Sequence, residues 1–277
     1  MKKLLIAALV ALPVLFSCKK ADNGTTFKKP AQAEAAMEVK PTSAPVIVVK
    51  SEQVSIEKIE FFRTGRYLIT ATATKAEIPV HHFSGTYTCS NGVYTCSGDF
   101  AGTISVTSST VSFNNGEPTP ATVNPTDVTE GSFEDFLYRS WKIVEIDLAL
   151  TKPQITQGIT CTGTENVSKA IDIANRHNAN IDEKYTAYDV KEISLSKGAF
   201  MVTFANNKTF GGKLQGLTIN ANSATVNYEF LEDLLSGFFD GTGSATLSKK
   251  NEKLVVSVSV STSHLAGTMS VILVESL

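Results

Sequence analysis

The chain has 277 residues, of which 25 are lysine or arginine and 27 are aspartate or glutamate, so its formal net charge is −2 at pH 7. This near balance, with no basic stripe that could neutralise phosphates, argues against nucleic acid as a partner. Thr, Ser, Val and Ile dominate much of the chain, with Gly and Asn between short runs, and this composition is typical of strands and turns.

The first 17 residues have the pattern of a secretory signal peptide. Lys2 and Lys3 precede an apolar stretch from Leu4 to Phe16. As a helix this stretch would rise about 20 Å, which is short of the roughly 30 Å hydrocarbon core of a bilayer. A basic head followed by a short apolar run therefore indicates a cleavable signal over residues 1–17.

The apolar stretch ends in Leu15-Phe16-Ser17-Cys18, which resembles the lipobox of bacterial lipoproteins. The resemblance implies that Cys18 becomes the lipid-modified N-terminus of the mature chain. Two or three acyl chains hold a protein stably in a membrane, whereas one holds it weakly. The alternative is an ordinary signal peptide that happens to be followed by a cysteine. We expect lipidation at Cys18 and a membrane as the first partner of the chain.

Residues 18–46 are predicted to be a flexible tether between the lipid and the folded body. They are rich in Lys, Ala, Thr and Pro and show no apolar period. Such a composition cannot bury enough surface to offset the entropy lost on ordering. An extended tether would lift the body off the bilayer.

Residues 47–116 are predicted to form an N-terminal β-segment. Tyr67, Ile69 and Ala71 alternate with polar neighbours, and a period of two indicates strands with one wet face. Near the middle of the segment, Cys89 and Cys96 flank a short polar run that has the composition of a hairpin turn.

Two registers are open to this hairpin. An Asn91-Gly92 type I′ turn makes Cys89 and Cys96 diagonal neighbours, whereas a Gly92-Val93 type II′ turn or a four-residue loop places them directly opposite each other. Direct neighbours are within disulfide reach and diagonal ones are marginal. Because export places thiols in an oxidising compartment, we expect a local disulfide, with two packed reduced thiols as the alternative.

Residues 117–131 are predicted to be a linker, because Pro118, Pro120 and Pro125 lie among Thr and Asn. Proline cannot continue the interior of a strand, and this density of it indicates extended, solvated chain. The second domain then covers residues 132–277.

Strands of the second domain are predicted to be interrupted by helices. The sequence predicts a short helix near Phe133–Arg139 and an amphipathic helix from Asn166 to about Asn180, where apolar residues recur at helical spacing. A third, short and apolar helix is predicted from Phe230 to Phe238. Cys161 has no obvious partner and is expected to pack as a small apolar residue.

Three blocks of the first segment match three blocks of the second in the same order, which predicts an internal duplication. Gly65–Thr70 matches Gly198–Thr203, Phe83–Tyr87 matches Phe210–Leu214, and Ile104–Phe113 matches Ile219–Tyr228. The offset changes by about a dozen residues between blocks. The Cys89–Cys96 hairpin is therefore interpreted as an insertion in the first copy, with chance similarity between β-rich sequences as the alternative.

The only tryptophan, Trp141, opens the first strand of the second domain. The run Tyr138-Arg139-Ser140-Trp141-Lys142-Ile143-Val144 resembles the opening strand of lipocalin-like domains, in which a Trp closes the barrel floor, although Arg139 replaces the Gly of the Gly-x-Trp motif. Together with the lipobox and the tether, the chain is similar to lipocalin-like lipoproteins of the Bacteroidota. The resemblance implies an all-β, mostly antiparallel fold: a lipocalin-like barrel with one or two helices, preceded by a related smaller β-segment. Alternatively, Trp141 only packs the core.

Known lipoproteins on the cell surface of that phylum tend to carry acidic residues soon after the cysteine. Here Asp22 stands alone behind Lys19 and Lys20. This pattern favours an anchor in the outer membrane with the body facing the periplasm.

The expected function is non-catalytic binding of a small apolar or amphipathic ligand in a sheet-lined cavity. The residues predicted to contact it are aromatic or apolar: Trp141, Phe200, Phe204, Phe210, Leu234 and Phe238. The four histidines lack the spacing of a metal site, and no nucleophile or carboxylate pair has catalytic spacing. We therefore expect neither cofactor, metal nor enzymatic activity. A structural or interaction protein of the cell envelope, which meets other proteins or glycans, is the alternative.

Overall fold

The computed structural model is all-β and antiparallel, which confirms the predicted fold class. It describes residues 36–73, 81–152, 154–179, 181–231, 242–261 and 266–276. Among these residues, no helix is long and apolar enough to cross a membrane. The chain divides into two compact units: the first contains the described residues up to 138 together with the turn Leu195–Ala199, and the second contains 139–194 and the described residues from 200 onward.

The first unit is a closed barrel. Its strands are β1 (Met37–Pro41), β2 (Val46–Val49), β3 (Glu52–Phe61), β4 (Arg66–Ala73), β5 (His81–Ser90), β6 (Val93–Gly98), β7 (Gly102–Val106), β8 (Thr110–Phe113) and β9 (Thr119–Pro125), followed by helix α1 (Phe133–Leu137). Consecutive strands pair from β3 to β9, and β1 joins β9 to β3, so the sheet closes on itself. Strand β2 pairs with the other half of β3 and extends that edge.

The interior of the first barrel is filled with aromatic and aliphatic side chains. The ring of Phe61 stacks on Tyr94 with centroids 3.9 Å apart, and Tyr87 meets Phe61 edge-on at 5.1 Å. The buried hydroxyls are satisfied by the backbone, since Tyr87 donates to Phe62 O at 2.8 Å and Tyr67 donates to Phe100 O at 2.8 Å. The segment predicted to be a smaller β-segment is thus a packed barrel with its own core.

Strands β1 and β9 lie where the sequence predicted a tether and a linker, so the boundaries 18–46 and 117–131 are wrong. The two strands pair with each other, Val39 opposite Val123, and close the barrel. Strands β1 and β9 have few inward-facing apolar residues, and their prolines obscure the period-two pattern that would predict a strand. Pro41 and Pro125 sit at strand ends, where a missing N–H costs least, and Pro120 is the second residue of β9.

The Cys89–Cys96 hairpin takes the diagonal register. Asn91 and Gly92 have φ of 52° and 76°, as a type I′ turn requires, and Cys89 lies opposite Tyr94 while Tyr87 lies opposite Cys96. Diagonal neighbours are about 7–8 Å apart at Cα, beyond the usual span of a disulfide. Both cysteines are free, so the expected disulfide does not form in the structure.

The two thiols should differ in reactivity. Cys96 is buried, and burial raises its pKa to about 12, so the nucleophilic thiolate is scarce at neutral pH. Cys89 is partly exposed. Iodoacetamide at pH 8 is expected to alkylate Cys89 in the native protein and Cys96 only after unfolding, as measured by peptide mass spectrometry. A disulfide-linked peptide that joins the two residues would contradict this register.

The second unit is also a closed barrel. Its strands are β10 (Ser140–Lys152), β11 (Gln154–Thr160), β12 (Val190–Leu195), β13 (Ala199–Phe204), β14 (Thr209–Asn220), β15 (Ser223–Phe230), β16 (Thr242–Lys250), β17 (Lys253–Ser261) and β18 (Ala266–Glu275); helix α2 (Val167–Arg176) and a 3-10 turn (Glu183–Tyr188) lie between β11 and β12. Consecutive strands pair from β12 to β18, and the long β10 joins β18 to β12. Strand β11 pairs with the second half of β10.

Helix α2 confirms the predicted amphipathic helix, although it ends at Arg176 rather than near Asn180. Its first turn is fixed by Asp189, whose Oδ1 accepts from the backbone N–H of Asn166 at 3.0 Å and of Ser168 at 2.8 Å. A carboxylate at this end of a helix satisfies free N–H groups and complements the helix dipole. The short helix near Phe133 is confirmed as α1. Phe230 ends strand β15, the N–H of Leu231 donates to Gly211 O at 3.2 Å, and residues 232–238 of the predicted apolar helix lie outside the described residues.

The strands that close the two barrels follow the same order, which supports the predicted duplication, although the extra strand pairs with β3 in the first unit and with β10 in the second. In both, the first strand pairs with the second strand of the barrel and with the last. The first two matching blocks fall on equivalent strands, β4 with β13 and β5 with β14. The third block does not, because β7 and β8 are equivalent to β16 and β17 rather than to β14 and β15. Strands β5 and β6 both belong to the closed sheet of the barrel, so the interpretation of the Cys hairpin as an insertion is wrong.

Candidate ligand-binding site in the second barrel

Four aromatic side chains converge inside the second barrel, on strands β13, β14 and β15. We call them the rim cluster: Phe200, Phe210, Tyr228 and Phe230. Phe230 is their centre, with its ring centroid 5.1 Å from Phe210, 5.2 Å from Tyr228 and 5.6 Å from Phe200. These are ordinary distances for tilted and edge-to-face pairs. The cluster lies toward the end of the barrel at which β15 ends and β16 begins.

The orientation of the cluster follows from strand alternation. Along β15, Ala224 and Val226 are buried, while Thr225 and Asn227 are exposed. Because successive side chains of a strand point to opposite faces, Tyr228 and Phe230 share the inward face of Ala224 and Val226. Phe200 and Phe210 are buried, whereas Tyr228 and Phe230 are only half-buried. The cluster therefore presents two partly open rings backed by two closed ones.

Two glycines make room for the rings. A Cβ on Gly212 would stand 2.0 Å from the Phe200 ring, and a Cβ on Gly243 would stand 2.3 Å from the Tyr228 hydroxyl. Such distances are far inside van der Waals contact, so only glycine lets the aromatic side chains lie this close to the neighbouring strands. In the register of the sheet, Gly212 is opposite Phe230 and Gly243 is opposite Tyr228.

Charges next to the cluster are held on the other face of the same strands. Glu229 lies between Tyr228 and Phe230 in sequence and points to the opposite face. It accepts from Lys213 at 2.8 Å and from Gln215 at 3.2 Å. The inward polar group of the cluster is the Tyr228 hydroxyl, and burial raises the pKa of that phenol. The hydroxyl thus stays protonated at neutral pH and can both donate and accept a hydrogen bond.

The structure brings together two of the six residues predicted to contact a ligand. Phe200 and Phe210 belong to the rim cluster. Phe204 instead packs edge-on against Tyr188, with centroids 5.3 Å apart, and is buried. Leu234 and Phe238 lie outside the described residues.

Trp141 is fully buried at the start of β10, opposite Ile193 of β12 and Glu275 of β18. Strand β10 ends at Lys152 near the start of β18. Trp141 thus lies at the beginning of β10, whereas Tyr228 and Phe230 lie at the end of β15. The alternative interpretation, that Trp141 packs the core, agrees with this position.

Two members of the rim cluster, Tyr228 and Phe230, were missed as site residues. Their signal is the period-two run Ala224, Val226, Tyr228 and Phe230, which grows from small to aromatic side chains toward the end of the strand. The predicted apolar helix placed Phe230 in a different element. A strand that continues to Phe230 places both rings on the inward face.

A second concentration of buried chemistry lies in the first unit. Glu60 is 1% exposed, and its Oε2 lies 3.1 Å from Lys58 Nζ, while Glu38 Oε2 accepts from the same Nζ at 3.0 Å. Ser196, in the turn Leu195–Ala199 that groups with this unit, donates to Glu60 Oε1 at 2.6 Å. Lys40 completes the group by pairing with Glu38 at 3.1 Å. Two lysines and two carboxylates balance each other, so we assign this group a structural role.

Within the part of the chain that the structure describes, no three His, Cys, Asp or Glu side chains come together as a metal site would require.

The chain was also compared with known proteins. No family model, curated protein or solved structure matches it. The assignment of a function therefore depends on the geometry of the rim cluster and on the N-terminal sequence.

Proposed function

We propose that this chain is a lipid-anchored, non-catalytic binding protein whose second barrel holds a small apolar or amphipathic ligand against the rim cluster. The supporting observation is the pair of half-buried rings, Tyr228 and Phe230, on the inward face of a barrel. Ligand sites are concave, mostly apolar and supplied with a few polar groups that orient the ligand. The rings provide the apolar surface, and the Tyr228 hydroxyl provides one such polar group.

The proposed anchor rests on the sequence around Cys18. The short apolar stretch and the lipobox-like Leu15-Phe16-Ser17-Cys18 support lipidation, and Lys19 and Lys20 support retention in the outer membrane with the body facing the periplasm. A body held at a membrane and fitted with an apolar site suits the handling of a lipid-like molecule.

The first experiment is native mass spectrometry of residues 19–277 purified from the native host or a relative. A mass that is released on denaturation would support the ligand site and reveal the ligand class. A clean apo mass, together with no binding of a fluorescent long-chain fatty acid, would contradict the ligand site. It would favour the alternative, a structural or interaction protein of the cell envelope.

Replacing Phe230 with alanine is expected to weaken binding of the fluorescent fatty acid about tenfold, because loss of a half-buried ring removes about 1.4 kcal/mol of apolar contact. The measurement is a fluorescence titration. Thr225→Ala is the matched control, since Thr225 lies on the same strand but is exposed on the opposite face. Equal affinities for Phe230→Ala, Thr225→Ala and wild type would place the ligand elsewhere.

Replacing Cys18 with alanine is expected to abolish lipid attachment, because only the thiol can accept the diacylglycerol. The measurement is metabolic labelling with an alkyne analogue of palmitate, followed by gel detection of the labelled protein. Ser17→Ala is the matched control and should keep the label, since it leaves the thiol in place. Labelling of Cys18→Ala at the wild-type level would overturn the anchor.

A further inference from the structure

Two valines on strand β2 are exposed to an extent that is unusual for this chain. Val46 is 56% exposed and Val48 is 62% exposed; among the large hydrophobic side chains of the described residues, only Val93, at 37%, also counts as exposed. Strand β2 and the start of β3 form a hairpin that turns at Lys50 and Ser51, both with positive φ. The two valines lie side by side on one face of this hairpin, because residues two apart on a strand share a face.

The opposite face of the same hairpin is part of the barrel. Val49 is buried and Ile47 packs against the core of the first unit. Strand β2 is therefore held rigidly, and Val46 and Val48 are presented outward by a fixed scaffold. Natural edge strands usually carry charges or prolines that discourage contacts; Pro45 precedes β2, but the strand itself, Val46–Val49, contains neither. Lys50, at the turn, is paired with Asp99 at 2.5 Å.

We propose that the outer face of β2 is a second membrane contact, which rests on the bilayer that holds Cys18. This inference depends on the proposed anchor. Only 17 residues lie between Cys18 and Ala36, the first described residue, and a chain of that length spans at most roughly 60 Å. Strand β2 follows ten residues after Ala36. The bilayer is thus the one apolar surface that is always within reach of the hairpin.

The tether decides whether so small a contact matters. Two valines are too few to hold a free protein on a membrane, as even a single acyl chain binds only weakly. A short connection raises the effective concentration of the second site to the millimolar range, so a weak contact becomes populated once the chain is anchored. Because Val46 and Val48 lie opposite the uncharged Ser55 and Gln53, the contact is apolar and should not depend on anionic lipid or on salt.

The test replaces the native anchor with an artificial one. Residues 19–277 with an N-terminal polyhistidine tag are attached to phosphatidylcholine vesicles that contain a nickel-chelating lipid, and amide hydrogen exchange of residues 44–49 is compared with that of the free protein. If the contact is populated about two thirds of the time, exchange in this segment slows about threefold. The slowing should persist in high salt.

The variants are a double substitution, Val46→Asp with Val48→Asp, and the matched control Val93→Asp, which puts a charge on another exposed valine of the same unit. The double variant is expected to lose the slowing and the control to keep it. Unchanged exchange of wild-type protein on vesicles would overturn the contact, and so would slowing that survives the double substitution. Slowing that disappears when the surface density of protein is reduced would assign the face to a second copy of the chain and would also overturn the proposal. None of these outcomes bears on lipidation of Cys18, which the palmitate label tests separately.

Discussion

Replacing Lys58 with alanine is expected to lower the free energy of unfolding of the first unit by about 3–5 kcal/mol, the usual cost of leaving a buried charge without its partner. Lys58 is 16% exposed and stands between Glu38 and Glu60. Without it, Glu60 keeps only the hydroxyl of Ser196 at Oε1 and has no partner at Oε2. The carboxylate must then be protonated or drawn toward water, and either change loosens β3.

Lys40→Ala is the matched control, because Lys40 pairs with the same Glu38 but is 53% exposed. Exposed ion pairs contribute about 0–1 kcal/mol, so this variant should resemble the wild type. Unfolding of the first unit can be followed separately by hydrogen exchange in β3 and β4, which lie wholly within that unit. Equal stabilities of the two variants would show that Lys58 is not the essential cation.

The same group gives a pH dependence whose sign can be worked out. Partial burial would raise the pKa of Glu38, but Lys58 beside it outweighs burial and the pKa is lowered from 4.5. The stabilisation is then fully present above the ordinary pKa and is lost as the pH falls through the lowered value. Burial would lower the pKa of Lys58, but Glu60 and Glu38 outweigh it and the pKa is raised from 10.5. That stabilisation is lost only as the pH rises through the raised value.

Strand periodicity made most of the fold predictable. Runs such as Tyr67, Ile69 and Ala71 show the period of a one-sided sheet, and the apolar spacing within 167–176 shows that of a helix. Closure of the barrels was harder to predict from the sequence, because it depends on strand pairs that are far apart along the chain. Val39 pairs with Val123 across the whole first unit, and no local pattern in either strand encodes that partner.

The predicted disulfide register and the predicted helix at Phe230 failed for the same physical reason. A short segment fits more than one local structure, and its own residues do not decide between them. The run Ser90–Thr95 fits two turn types equally well by composition, and only the packing of Tyr87 and Tyr94 against Phe61 distinguishes the registers. Phe230 continues either a helix or a strand by hydrophobicity. The pairing of Phe230 with Gly212 decides for the strand.

The rim cluster was half predictable for a related reason. Phe200 and Phe210 stand out in the sequence as aromatic residues within strands. Gly212 is equally necessary, because only a glycine leaves room for the Phe200 ring. The first barrel contains the same aromatic–glycine arrangement, since Tyr67 lies over Gly85 as Phe200 lies over Gly212. In the first barrel, however, Tyr67 is completely buried, and its hydroxyl is used by the backbone of Phe100. Phe200 is likewise buried but has no hydroxyl, and the half-open rings beside it are those of Tyr228 and Phe230 on β15.

Replacing Trp141 with alanine is expected to lower the free energy of unfolding of the second unit by about 3–5 kcal/mol, because it removes the largest fully buried side chain and leaves a cavity. Chemical denaturation followed by hydrogen exchange in β10 and β18 is the appropriate measurement, since the variant has no tryptophan fluorescence. Phe204→Leu is the matched control: it also alters a buried aromatic of the same unit, but it keeps most of the volume and should cost less than about 1.5 kcal/mol.

The milder variant Trp141→Phe separates the two interpretations of this residue. If Trp141 only packs the core, Trp141→Phe should lose stability and bind the fluorescent fatty acid with wild-type affinity, whereas Phe230→Ala should lose affinity and keep most of its stability. This division is expected because Trp141 has no exposed surface for a ligand, whereas Phe230 is only half-buried. Weakened binding by Trp141→Phe at unchanged stability would instead indicate that the ligand binds beside Trp141 and that the rim cluster only packs the core.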